Sequence, residues 1–190
     1  MSGVLNVFTA FGLSSAAGLN AYVPLLVVAL LARFTDLIEL KAPWNALESA
    51  WTIGVLAVLL LIEIVADKVP AVDTVNDVIH TFIRPTAGAI LFAASIGTAG
   101  KVDSVLAMIC GLLLAGGVHA TKATARPIIT ATTAGTMNPV VSTVEDGVSL
   151  LVSIVAIVAP IVGVVLVVLI AIWFIRFWRR RRRRMAGQWE

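Results

Sequence analysis

Between residues 63 and 88 the chain reads EIVADKVPAVDTVNDVIHTFIRPTAG, which sets Glu63, Asp67, Lys68, Asp73, Asp77, His80 and Arg84 into an otherwise apolar sequence. Glu63 and Asp67 are four residues apart, so a helix carries both carboxylates on one face. Asp77, His80 and Arg84 follow at spacings of three and four and form a polar stripe on a second helix. Such a set can bind a cation, relay protons through His80, or hold an anionic headgroup on Arg84 and Lys68. The plainer alternative is an interfacial salt-bridge network that closes a loop and fixes register. Nothing in the spacing matches a specific metal motif, and no metal or cofactor is expected.

The elements that must position these groups are membrane helices. Apolar residues make up 59% of the 190 positions, charged ones 13%, and mean hydropathy is +1.01, values that exclude an ordinary soluble domain. The formal charge of +3 does not point to nucleic acid, because seven of the fourteen Lys and Arg residues are packed between Arg176 and Arg184. Cys110 is the one cysteine, so no intrachain disulfide can form. The apolar N-terminus has no Lys or Arg ahead of it, so it is expected to be a mature helix and not a cleaved signal.

A hydrocarbon core of about 30 Å takes roughly 20 helical residues to cross. On that measure the sequence predicts an all-α integral membrane protein of about six spans: 4–32, 52–66, 78–100, 104–121, 127–141 and 147–175. The first is expected to kink or unwind at GLNAYVP, where Pro24 removes a backbone bond, and Pro85 to kink the third. The segment 127–141 is uncharged and rich in Thr, Ala and Gly, which suits a helix packed against other helices. Trp44 and Trp51 suit an interface. Trp173 and Trp178 lead into the arginine tail, residues 176–190, a topology signal whose Arg179, Arg180, Arg181 and Arg182 are placed to meet anionic lipid headgroups. With six spans and both termini in the cytoplasm, Lys68, Arg84, Lys122, Arg126 and the tail are expected on the cytoplasmic side of an inner membrane, against Arg33, Lys41 and Lys101 outside.

The chain also matches itself in two places, in the same order. GLSSAAGLNAY, 12–22, aligns on GLLLAGGVHAT, 111–121, and PAVDTVND, 70–77, aligns on PVVSTVED, 139–146. Halves of about 4–103 and 104–175 with three spans each make the repeat inverted, an architecture many secondary transporters share. Thr74 to Asp77 and Thr143 to Asp146 read as capping boxes. The first offset places Asn20 on His119 and Tyr22 on Thr121; the second places His80 on Ser149 and Arg84 on Ser153. Polar residues at matching mid-helix positions are not expected to face lipid, which makes Asn20, Tyr22 and His119 candidates for the middle of a pathway, or else interhelical hydrogen-bond donors.

At GLNAYVPLL, EIVADKVPAVD and RPTAGA the sequence resembles a family of small bacterial integral membrane proteins catalogued as a domain of unknown function, number 4126. The resemblance covers most of residues 5–165. It implies a helical membrane domain with no established activity and brings no catalytic residues with it, and the arginine tail stands outside it. The residues themselves point first to a small transport or channel-like protein, cation- or proton-coupled, with Glu63, Asp67, Asp77 and His80 handling charge and a homodimer as the working unit. A non-transporting scaffold or anionic-lipid-binding protein is the alternative. An intramembrane enzyme is not expected, since no nucleophile and base arrangement is recognisable.

Overall fold

The computed structural model describes residues 3–67, 70–97, 103–160 and 162. Six α-helices are found among them: α1 (Gly3–Leu19), α2 (Tyr22–Phe34), α3 (Ala50–Ala66), α4 (Pro70–Ile96), α5 (Ser104–Thr133) and α6 (Asn138–Val158), with a short 3-10 helix at Trp44–Glu48. The described residues form no strand. Start signals are local. Ser49 accepts a hydrogen bond from the Thr52 amide ahead of α3, and Asp103 accepts from the Val105 and Leu106 amides ahead of α5. Pro70 opens α4 and Pro139 stands in the first turn of α6, where a missing amide hydrogen leaves no bond unmade.

Contacts along the helices fix their directions. Ser14 meets Gly88 and Phe11 meets Phe92, so α1 runs against α4; Ala16 meets Ser149 and Thr9 meets Ala156, so α1 also runs against α6. Tyr22, by contrast, stacks edge-on against His80 near the start of α4. Val28 lines the same cavity as Thr9 and Leu13. The chain therefore reverses at Asn20–Ala21, and α1 and α2 form a hairpin. The expected weak point at GLNAYVP is real, but it is a turn and not a kink in a single span of 4–32.

Among the described residues three stretches are long and apolar enough to cross a membrane: Val78–Ile96, Ser104–Thr133 and Asn138–Val158; α1, α2 and α3 are shorter apolar helices. The outward faces are apolar as lipid requires, with Val55, Val58, Leu61, Ile62 and Val65 exposed on α3 and Leu112 and Leu113 on α5. Small residues bring the inner helices together. A Cβ added at Gly111 would overlap the Gly88 carbonyl, and one added at Gly18 would stand 2.6 Å from the Ala115 carbonyl.

Several expectations are corrected. Pro127 does not begin a span: α5 continues through it to Thr133, and 127–141 is the end of α5, a turn and the start of α6. The turn is made by Ala134 and Gly135, both at positive φ. α4 also carries a proline, Pro85, inside one helix, which is compatible with the kink expected there. Neither capping box caps a helix, since Thr74 and Thr143 lie inside α4 and α6, and the Thr143 hydroxyl bonds back to the Pro139 carbonyl.

The repeated motifs do not run in opposite senses. Gly18 of α1 packs on Ala115 and Val118 of α5, and the Leu19 carbonyl meets Lys122, so these helices are parallel. α4 and α6, both antiparallel to α1, are parallel to each other. The hairpin adds one reversal to the first half and removes the inversion. It also sets the start of α1 at the end of the bundle that holds Asp36–Lys41, opposite Lys122 and Arg126. Gly3, at the start of α1, and that basic cluster therefore lie at opposite ends of the bundle. The expected 147–175 span is described only through residue 160 and at 162, and the tail arginines lie outside the described residues.

Candidate functional site

Charged and polar side chains meet at the end of the bundle where the α1–α2 hairpin turns. The reversal leaves a helix C-terminus and a helix N-terminus facing one another inside protein, each with backbone groups to satisfy. Asn20, fully buried, satisfies the second: its Oδ1 accepts from the Tyr22 and Val23 amides at 2.9 and 3.0 Å. Its Nδ2 donates to Asp146 Oδ1 on α6 at 2.9 Å. Lys122 Nζ reaches the Leu19 carbonyl at 3.3 Å, placing a cation at the negative end of α1.

Arg84 links three helices beside this tip. Its Nη2 donates to Glu63 Oε1 at 3.1 Å and its Nη1 to His119 Nδ1 at 3.0 Å. A guanidinium only donates, so His119 Nδ1 accepts and the imidazole is neutral, with its proton on Nε2. That nitrogen then donates to Thr81 Oγ1 at 3.2 Å. His80 Nδ1 lies 3.4 Å from Glu63 Oε1. Glu63, His80 and Arg84 are each at most 2% exposed, and Glu63 Oε2 has no hydrogen-bond partner.

A second group lies beside it. Lys122 Nζ pairs with Glu145 Oε2 at 2.8 Å; Arg126 Nη2 lies 3.3 Å from the same oxygen, 3.7 Å from Asp67 Oδ2, and donates to Ser142 Oγ. Asn76 donates to Asp67 Oδ1 at 3.0 Å, which ties the end of α3 to the first turns of α4. Among the described residues no group of three His, Cys, Asp or Glu is placed to hold a metal ion.

The opposite end of the bundle holds a cavity of about 340 Å³, lined by Asn6, Thr9, Asp36, Glu39, Lys41 and Ser95 and by apolar side chains down to Leu13, Val28 and Ile157. Between cavity and charged end lie the buried hydroxyls of Ser14, Ser149 and Ser153. Each bonds to a backbone carbonyl, of Gly88, Ala16 and Ser149 in turn.

Of the residues singled out from the sequence, Asn20, Tyr22, Glu63, Asp67, His80, Arg84 and His119 are all buried at the charged end. The matched positions Ser149 and Ser153 are buried as well, while Thr121, opposite Tyr22 in the repeat, is exposed. Asp73 and Asp77 fall within α4, but their side chains, like Lys68, lie outside the described residues. Sequence reasoning missed Lys122, Arg126, Glu145 and Asp146 as members of the cluster. The signal was present: His119, Lys122 and Arg126 repeat the three-then-four spacing of Asp77, His80 and Arg84, and so mark a stripe on one helix face.

No curated protein and no solved structure matches the chain. The model of the family described as "Domain of unknown function (DUF4126)" matches residues 7–180, from the first turns of α1 into the start of the arginine tail, and the chain belongs to that family.

Proposed function

We propose that this protein is a small proton-coupled transport protein, in which the charged end is the coupling site and the opposite cavity the entry for a solute. The observation that carries the reading is the α1–α2 hairpin, whose tip ends inside the bundle among ionisable side chains from α3, α4, α5 and α6. Broken or reversed helices that present their ends to buried charge are how membrane proteins build ion and substrate sites. Ionisable groups held away from water are costly, and are retained within a bilayer chiefly for charge movement. The cavity and the buried serines continue that polar line toward the other face.

In this proposal the charged end faces the cytoplasm of an inner membrane, with Lys122 and Arg126 following the positive-inside bias. The start of α1 and the Asp36–Lys41 segment then face the other side. In a Cys110→Ser background, Thr136→Cys should react with a membrane-impermeant maleimide only from the cytoplasmic side and Asp36→Cys only from the other.

The direct test is reconstitution of the purified protein in vesicles carrying an imposed proton gradient, with a mixture of inorganic cations, organic cations and neutral solutes outside. Accumulation of at least one solute, abolished by a protonophore, is the expected result. Solute and proton movement no greater than in protein-free vesicles would overturn the proposal.

A scaffold or anionic-lipid-binding protein is favoured by one observation: the charged end is directly paired, with Arg84 on Glu63, Lys122 on Glu145, and Arg126 between Glu145 and Asp67. Under that reading, neutralising Asp67 lowers the folded yield in detergent and there is no flux to lose. The lipid contact assigned to Arg179–Arg182 and a homodimeric working unit remain proposals of the same kind, to be read by binding to anionic vesicles and by mass measurement in detergent.

A further inference from the structure

The charged end holds one feature that ion pairing does not explain. Glu63 is 2% exposed, yet only one of its carboxylate oxygens is used: Oε1 takes the Arg84 guanidinium and lies near His80, while Oε2 is buried without a hydrogen-bond partner. An ionised carboxylate buried with a bare oxygen is expensive, because that oxygen has given up water and received nothing in return. A proton or a donor on that oxygen would remove the cost.

The surroundings select the occupant. Hard metal cations need several oxygen ligands. Around Glu63 the nearby groups are instead the Arg84 guanidinium and the His80 imidazole from α4 and the Tyr22 ring from α2. Asp67 on α3 and Asp146 on α6 are the like charges within electrostatic reach, and His119 on α5 stands across Arg84. Two of these acids are already engaged, Asp67 by Asn76 and Arg126 and Asp146 by Asn20. A proton needs only the one oxygen.

We infer that Glu63 is the proton-loading site of the transport cycle, taking a proton on Oε2 and thereby weakening its hold on Arg84. This rests on the transport reading above. Loading adds one proton to one carboxylate, so the group becomes neutral and Arg84 loses its counter-charge on α3. Arg84 keeps its bond to His119, so α4 stays joined to α5, while α3 loses the Glu63 tie and keeps only the one that Asp67 makes to Asn76 and Arg126. His119 is an acceptor toward Arg84 and cannot take the proton on Nδ1 without setting two donors face to face, whereas Glu63 can load with the Arg84–His119 bond intact. The charged end is thereby closed by α3 when Glu63 is ionised and loosened there when Glu63 is loaded.

The test is infrared difference spectroscopy of the purified protein in lipid during an alkaline-to-acid titration. The expected result is the carbonyl stretch of a protonated buried carboxyl that grows with acidity, is lost in Glu63→Gln, and survives in Asp67→Asn and Asp146→Asn. Should Glu63→Gln fail to fold, Glu63→Asp keeps a carboxyl and must shift the same band. No such band in the native protein, a band that persists in Glu63→Gln or is unmoved in Glu63→Asp, or one lost instead in Asp146→Asn, would overturn the inference. The readout needs no transport: the band with no flux sinks the transport reading and leaves the loading site, whereas proton-driven flux with no band does the reverse.

Discussion

Asn20 Nδ2 stands 2.9 Å from Asp146 Oδ1, so the tip of the α1–α2 hairpin is tied to α6 by the same side chain that caps α2. Asn20→Ala removes the cap, worth about 0.5–2 kcal/mol, and strips a largely buried acceptor of its donor, worth about 1–3 kcal/mol. A loss near the middle of the combined range is expected in a detergent unfolding titration. Asn20→Asp keeps the cap but sets a second carboxylate against Asp146, so it should be no more stable than Asn20→Ala. A well-folded, fully stable Asn20→Asp would mean that the Asp146 contact carries no weight.

The Glu63–Arg84 pair makes a second prediction. Arg84→Met leaves Glu63 buried without its guanidinium and should destabilise by about 3–5 kcal/mol. Removing both charges, as Glu63→Leu with Arg84→Met, should recover a large part of that loss, because no buried charge then lacks a partner. A double-mutant cycle read by the same unfolding titration measures the coupling. Strictly additive losses would show that the two side chains, though 3.1 Å apart, are not energetically joined.

Much of this site was legible in the sequence, and the part that was not has a physical reason. Hydropathy marked the apolar segments, and the three-and-four spacing placed His80 and Arg84 on one face. The weak point at GLNAYVP followed from Pro24 and the small residues around it. Nothing in those residues distinguishes a kink from a reversal, because both need the same broken backbone bonds. The difference is made by Asn20, whose Oδ1 caps the new helix while its Nδ2 meets Asp146 on α6. That partner is 126 residues away, and spacing cannot reveal it. Lys122 and Arg126 read in the sequence only as charges on the cytoplasmic side for the same reason: their acids, Glu145 and Asp67, come from other helices. Pro127 does not mark a helix start because an interior proline removes one backbone bond and need not end the helix around it.

The turn between α5 and α6 gives a prediction of opposite sign. Ala134 adopts φ 51° and ψ 33°, the left-handed conformation, where its Cβ crowds the backbone. Ala134→Gly removes that crowding and should stabilise the protein by about 1 kcal/mol. It touches no charged group, so folded stability should rise with no change in any flux. Ala134→Val, β-branched at the same position, should destabilise. If Ala134→Gly proved the weaker protein, the turn would not be held as described.

The α4–α5 crossing supplies the sharpest packing test, because two glycines on one helix have opposite surroundings. A Cβ at Gly111 would overlap the Gly88 carbonyl and lie 2.6 Å from Phe92 Cβ, both on α4. The helices must part to admit it, and they cannot do so without disturbing Arg84, one turn from Gly88, and its contact with His119. Gly111→Ala should therefore cost about 1–3 kcal/mol and also weaken the Glu63–Arg84 coupling measured above. Gly117, six residues further along α5, is exposed, and a Cβ there meets nothing within 4 Å. Gly117→Ala should be neutral or stabilise by up to about 1 kcal/mol through helix propensity. Equal effects at both positions would indicate that α4 and α5 do not cross at Gly88 and Gly111. A loss confined to Gly111→Ala would show that the close crossing is what holds Arg84 between Glu63 and His119.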